Sequence, residues 1–316
     1  MKRLALSLSL SLVAAPALAD VAKPKPAPAP APAKPEPKKD APKQPAAAVT
    51  FKEGLATPES VLYDAETDTY LVSNINGAPT DKDNNGYIAE FSPDGAVVKA
   101  KLIAGGENGV TLNAPKGMAL VNGVLYVADI DTVRLFDRKT GAPKGEAPVK
   151  GATFVNDLSA GPDGKVYFTD SGLTPKFEGS GTDALYVLEP GKKPKVKALL
   201  TSKGLPHPNG IVATKDTLYV NFFGAGEIRA YDLKGKAKGE AMKVPAGGLD
   251  GLVMLGDELL VSSWEGKAVY RGKAGGEFTA VFTELTAPAD IGFDTRRNRV
   301  LVPRFQENFV EAWELK

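Results

Sequence analysis

Six segments between residues 51 and 316 carry one short pattern, and internal repetition of this kind constrains a fold more than any single residue does. Pro58-Glu59-Ser60-Val61 leads to the β-rich run Tyr70-Leu71-Val72-Ser73-Asn74, and Pro115-Lys116-Gly117-Met118 leads to Leu125-Tyr126-Val127-Ala128-Asp129. Val155-Asn156-Asp157-Leu158 precedes Val166-Tyr167-Phe168-Thr169-Asp170, and Pro208-Asn209-Gly210-Ile211 precedes Leu218-Tyr219-Val220-Asn221. The series ends with Leu249-Asp250-Gly251-Leu252 before Leu259-Leu260-Val261-Ser262-Ser263, and Pro288-Ala289-Asp290-Ile291 before Val300-Leu301-Val302-Pro303. The second residues fall at 59, 116, 156, 209, 250 and 289, with separations of 57, 40, 53, 41 and 39. One four-stranded blade with its loops occupies about 40–50 residues. Third strands are predicted at 86–91, 132–136, 184–188, 227–233 and 268–271, and Pro93-Asp94-Gly95, Asn122-Gly123 and Pro162-Asp163-Gly164 supply hairpin turns. The expectation is an all-β chain, a six-bladed β-propeller around a central channel. The last unit stops one strand short after residues 308–315, so a strand within 49–55 is predicted to pair there and close the ring, leaving no blade edge unpaired.

Two segments precede the repeats. Residues 1–19 read as a signal peptide: Met1-Lys2-Arg3 is a basic start, 4–15 an apolar stretch, and Ala17-Leu18-Ala19 a small-x-small cleavage site. The apolar stretch is short for a bilayer, and no later run approaches about 20 apolar residues, so no membrane span is expected. Residues 20–50 hold nine prolines, six lysines and three acids, a composition that favours an extended, solvated polyproline II arm. A periplasmic or secreted protein follows, with envelope contact through the arm as an option. The domain is expected to span 51–316.

The residue inventory removes several chemistries. With no Cys and one His, thiolate nucleophiles, disulfides, Cys-zinc sites and multi-His metal sites are excluded. A formal net charge of +1 offers no footprint for nucleic acid, so a small molecule is the expected partner. Any metal must rest mainly on oxygen.

In a propeller the innermost strands line the axis, so equivalent positions converge from distant parts of the chain. Around the second position stand Glu59, Lys116, Asn156, Asn209, Asp250 and Ala289. Four of these are hard oxygen donors, a shell that suits Ca²⁺ first, then Mg²⁺ or Mn²⁺, with Zn²⁺ less natural. Taken singly, Asn or Asp before Gly is also an ordinary turn residue.

With these residues in place, the chain resembles the gluconolactonase and regucalcin-like six-bladed propellers, with paraoxonases as more distant relatives. The resemblance covers essentially all of 51–316. It implies a divalent metal at the channel mouth held by Glu59, by Asn156 of Asn156-Asp157, by Asn209 of Pro208-Asn209-Gly210, and by Asp250 of Asp250-Gly251. It also implies a metal-dependent hydrolase of a lactone or similar cyclic ester, with Asp250 as the catalytic proton shuttle. Two positions depart from the family pattern. Glu59 is followed by Ser60-Val61 rather than Gly-Pro and an aromatic, and Phe154 stands where many lactonases place a substrate-holding Arg.

Lys116, Phe154, Asp157 and His207 are the expected substrate contacts, with Lys116 either a rim ion pair or a replacement for the missing cation. Trp264 and Tyr126 read as packing or rim residues. Asp81-Lys82-Asp83-Asn84-Asn85-Gly86 matches the first half of a calcium loop, but the bidentate position is Ser92, so a polar turn is expected there. The rival to an enzyme is a non-catalytic propeller that binds a ligand or protein while tethered in the envelope.

Overall fold

The computed structural model describes residues 46–316, and the segments read above as signal peptide and most of the arm lie outside them. Twenty-four strands form six four-stranded antiparallel sheets. The chain enters at β1 (Val49–Phe51). The first complete blade is β2 (Pro58–Asp64), β3 (Thr69–Asn74), β4 (Tyr87–Phe91) and β5 (Val97–Ala104). The second is β6 (Pro115–Val121), β7 (Val124–Asp129), β8 (Thr132–Asp137) and β9 (Pro143–Pro148). The third is β10 (Val155–Ala160), β11 (Val166–Asp170), β12 (Ala184–Glu189) and β13 (Lys195–Thr201). The fourth is β14 (Pro208–Ala213), β15 (Leu218–Phe222), β16 (Glu227–Tyr231) and β17 (Ala237–Lys243). The fifth is β18 (Leu249–Leu255), β19 (Glu258–Ser263), β20 (Ala268–Lys273) and β21 (Phe278–Phe282). The sixth is β22 (Gly292–Asp294), β23 (Arg299–Arg304) and β24 (Phe309–Glu314), completed by β1 as its outer strand.

That closure joins the two ends of the domain. Val49, Thr50 and Phe51 pair with Ala312, Glu311 and Val310, and the Ala48 N–H donates to the Ala312 carbonyl. Phe51 is almost fully buried and packs its ring 5.7 Å from Tyr70 and 5.6 Å from Phe91, so the closing strand also joins blade six to blade one. Burying one such side chain contributes roughly 1.5–3 kcal/mol.

The six largest hydrophobic clusters lie between neighbouring blades. Ala119, Tyr126 and Val133 of blade two meet Val155, Phe168 and Tyr186 of blade three, and Leu260, Val269 and Phe282 of blade five meet Val300, Val302 and Trp313 of blade six. Each blade is apolar on both faces because both are covered by neighbours. The outermost strands, such as β13 and β17, carry the lysines and glutamates.

One irregularity repeats and positions the site. In five blades the inner strand slips register against the second strand at the second residue of the repeat, between Pro58 and Ser60, Pro115 and Met118, Val155 and Leu158, Pro208 and Ile211, and Leu249 and Leu252. A β-bulge leaves residues unpaired and re-aims their side chains. The freed N–H of the third repeat residue is then taken by a polar side chain of the second strand: Ser60 by Ser73, Asp157 by Thr169, Gly210 by Asn221, and Gly251 by Ser262. Three of those side chains also reach the next blade, where Thr169 donates to the Asn209 carbonyl, Asn221 to that of Asp250, and Ser262 to that of Ala289. The Asp290 N–H completes the circuit on the Glu59 carbonyl. Inner strands approach so closely here that a Cβ on Gly251 would lie 2.1 Å from the Ile291 nitrogen.

Candidate active site at the channel mouth

The bulges bring Glu59, Lys116, Asn156, Asn209 and Asp250 to one cavity of about 490 Å³, with Phe154 in its wall. These are the N-terminal ends of β2, β6, β10, β14 and β18. All four predicted oxygen donors therefore face one space although they span nearly two hundred positions of sequence.

Their hydrogen bonding is incomplete in a consistent way. Glu59 Oε2, Asn209 Oδ1 and Asp250 Oδ1 are buried oxygens with no partner. A buried acceptor without a donor is costly, and here three occur in one cavity. Two other atoms of the set are tied down. Asn156 Nδ2 donates to Ser171 Oγ at 2.9 Å, and Ser171 Oγ donates to the Pro208 carbonyl at 2.8 Å, which turns the Asn156 amide nitrogen outward from the axis. Trp264 Nε1 donates to Asp250 Oδ2 at 2.7 Å, which leaves Oδ1 as the unshared oxygen.

The electrostatics are those of concentrated negative charge. Burial, then Asp250 and Asp290, push the Glu59 carboxyl well above its ordinary value, while Lys116 pulls the other way. Burial and the neighbouring Asp290 raise Asp250 to about 8. Burial drives Lys116 down to about 8, against the opposing pull of Glu59 and Asp129. Lys116 is no rim ion pair: it is fully buried, donates to the Pro79 carbonyl at 2.8 Å and to that of Ala114 at 3.0 Å, and places Nζ 4.6 Å from the centre of the Phe154 ring.

Two expected contacts lie elsewhere. Asp157 lines a separate cavity of about 280 Å³ with Ser60 and Asp290, walled by Leu158, Ile211 and Leu252 at the other end of the inner strands. Its carboxylate accepts from the Leu158 N–H at 2.7 Å and the Ile211 N–H at 2.8 Å, so it supports the bulges. Although adjacent to Asn156, it is sent to the other cavity by the bulge that encloses both residues. His207 is not among the side chains lining the mouth cavity; Nδ1 sits 2.8 Å from the Ser171 carbonyl and 3.1 Å from Asp183 Oδ1. The loop at Asp81 behaves as a polar turn: Lys82 pairs with Asp131, Asn85 donates to Asp83, and Asn84 Oδ1 accepts from the Leu112 N–H. Among the described residues no group of three or more His, Asp or Glu is arranged around a common point, so the mouth set depends on its two amides.

Sequence reasoning missed Ser171 as a partner and read Trp264 only as packing or rim. Both follow the second strand of their blade, as do Ile75, Ile130, Phe223 and Phe305 in theirs. This register forms a second ring above the first, and Ile75, Ser171, Phe223, Trp264 and Phe305 line the cavity.

Residues 57–294 match the SMP-30/gluconolactonase/LRE-like region, and the chain belongs to that family. Among solved structures it is similar to a gluconolactonase from Xanthomonas campestris, at 21% identity over 83% of this chain and 88% of that one, with a TM-score of 0.62. A luciferin-regenerating enzyme aligns at 16% identity over 84% and 95%, TM-score 0.60. A catalytically inactive virginiamycin B lyase variant from Staphylococcus aureus, solved with quinupristin, aligns at 13% identity over 85% and 98%, TM-score 0.57. At these identities the structures share the fold. No sequence among curated proteins matches the chain.

Proposed function

We propose that the chain is an exported, divalent-metal-dependent hydrolase of a lactone or similar cyclic ester, acting in the mouth cavity. The supporting observation is the set of three unpartnered buried oxygens, Glu59 Oε2, Asn209 Oδ1 and Asp250 Oδ1, contributed by three blades to one cavity. Two carboxylates and two carboxamides fit a hard cation, Ca²⁺ before Mg²⁺ or Mn²⁺, and Glu59, Asn156, Asn209 and Asp250 would hold it. Such an ion supplies Lewis acidity toward an ester carbonyl and makes water acidic enough to attack near neutral pH.

The chain's own residues supply the rest. The Asp250 carboxylate accepts the proton of the attacking water as its oxygen bonds to the carbonyl carbon; the ring C–O bond breaks, and Asp250 returns that proton to the departing ring oxygen to give a hydroxy acid. Trp264 holds Oδ2 and so orients the Asp250 carboxylate. A bound cation would hold the Asp250 carboxyl in its ionised form, the form a general base requires. Glu59 balances the remaining charge, and Ser171 orients Asn156.

Export rests on residues 1–19 and the arm at 20–50, with the periplasm or the exterior as destination. Removing the metal with a chelator should abolish hydrolysis across a lactone panel, and Ca²⁺ should restore it; full activity in chelator would refute the mechanism. A second reading, a non-catalytic binding propeller, is favoured by Phe154 in place of a cation and by Ala289 at the sixth ring position. Ca²⁺ binding by calorimetry without hydrolysis of any lactone would select it.

A further inference from the structure

We infer that the substrate of this cavity is a lactone bearing an apolar alkyl or aryl group, and not a polyhydroxylated sugar lactone. This rests on the proposed lactonase reading and concerns the part of the substrate that does not react.

The cavity has two layers of opposite character. The floor holds the polar ring. Above it stand Ile75, Leu173, Phe177, Phe223, Trp264 and Phe305. The collar is internally packed, with Trp264 5.8 Å from Phe223 and 5.3 Å from Phe305, and Phe177 6.2 Å from Phe154.

A sugar lactone would bring several hydroxyl groups into this collar, and each needs a partner. The nearby donors are already engaged: Trp264 Nε1 by Asp250, Ser171 Oγ by the Pro208 carbonyl, Asn156 Nδ2 by Ser171, and Lys116 Nζ by two carbonyls. Asn209, on the floor beneath the collar, and Gln306, at the exposed edge, are the neutral polar side chains left in the lining. Hydroxyls buried against aromatic rings without partners lose affinity, whereas an alkyl or aryl group gains it by leaving water.

Phe177 adds an independent sign. It is 56% exposed, one of two large apolar side chains so exposed among the described residues. Its φ of 58° is a left-handed conformation that aromatic residues seldom adopt. The turn that imposes it is held by the Phe177 N–H on the Thr174 carbonyl and the Thr174 N–H on the Glu178 carbonyl, both 2.8 Å. Strain that presents a greasy ring at a cavity mouth is a mark of a ligand contact.

The test uses the Ca²⁺-loaded mature protein with δ-lactones carrying methyl, propyl, pentyl and heptyl groups, beside glucono-δ-lactone. kcat/KM should rise roughly two- to fourfold per added methylene until the collar is filled. Glucono-δ-lactone should fall at least tenfold below the pentyl compound. Phe177→Ser, at a site exposed enough to leave the core intact, should lower kcat/KM for the heptyl lactone at least threefold more than for the methyl one. A flat series, or preference for glucono-δ-lactone, overturns the inference while leaving the lactonase reading standing. Hydrolysis of none of them overturns that reading, and ligand class is then decided by quenching of Trp264 fluorescence, with Trp264→Phe as the control. Tighter binding of the heptyl lactone than of glucono-δ-lactone supports the inference; equal or absent binding of both overturns it.

Discussion

The two ends of the channel are built from adjacent residues of the same strands, yet differ in almost every property. The mouth gathers Glu59, Asn156, Asn209 and Asp250, with unpartnered oxygens, beneath an aromatic collar. The opposite end gathers Ser60, Asp157 and Asp290, whose oxygens are spent on the protein: Asp157 on two backbone N–H groups, Asp290 on the Ser60 hydroxyl. Both ends hold buried carboxylates. Burial alone therefore does not mark a ligand site; what distinguishes the mouth is acceptors left without donors.

The largest contrast should come from Asp250→Asn. Losing the general base should reduce turnover about 10²–10⁴-fold. Differential scanning calorimetry of the metal-free variant should show a melting temperature no lower than wild type, since the amide keeps an oxygen for Trp264 and cannot ionise.

Asp157→Ala should behave in the opposite way. Two buried N–H groups, those of Leu158 and Ile211, lose their acceptor at a cost of about 2–4 kcal/mol. Denaturant unfolding measures this, and Ca²⁺ affinity should stay within about threefold of wild type. A large loss of affinity would show that the two ends are one site.

The pH response joins both ends. Asp250 is raised to about 8 and Asp290 to about 7, in each case chiefly by burial. The unfolded chain releases these protons near pH 4, whereas the folded protein holds them until pH 7–8. Stability contributed at low pH is thus lost as pH rises through the folded values. Chelated protein should melt at progressively lower temperature from pH 5 to pH 8, and saturating Ca²⁺ should largely cancel the decline by binding the ionised form. A melting temperature that rose over that range without metal would contradict these shifts.

The smallest expected effect is that of Trp264→Phe, which keeps the ring contacts and removes the hydrogen bond to Asp250 Oδ2. A loss of about five- to tenfold in kcat/KM is the scale of one such bond. Steady-state kinetics should place it mainly in kcat.

Much of this was legible in the chain because the repeat puts equivalent residues at equivalent places. The six blades, the closing strand at Val49–Phe51 and the convergence of residues 59, 116, 156, 209 and 250 all follow from aligning the units. What was not legible depends on register. A bulge sends Asn156 to one end and Asp157 to the other, and no composition rule says which. Lys116 looked like a rim charge because side-chain burial depends on the Pro79 loop that covers it. His207 drew attention as the lone histidine, but Asp183, which holds it, lies 24 residues away across a loop. The collar did carry a signal: Ile75, Ile130, Phe223, Trp264 and Phe305 each follow the second strand of a blade. Alignment extended one residue past those strands would have exposed it.

The most direct test is calorimetric titration of Ca²⁺ into the chelator-treated mature protein, its Glu59→Gln and Asp250→Asn variants, and Asp157→Ala. One equivalent should bind to wild type and to Asp157→Ala, and binding should weaken at least a hundredfold in the two mouth variants. Unchanged binding in Glu59→Gln and Asp250→Asn, or no binding of Ca²⁺, Mg²⁺ or Mn²⁺ to wild type, would contradict a shared cation at the mouth.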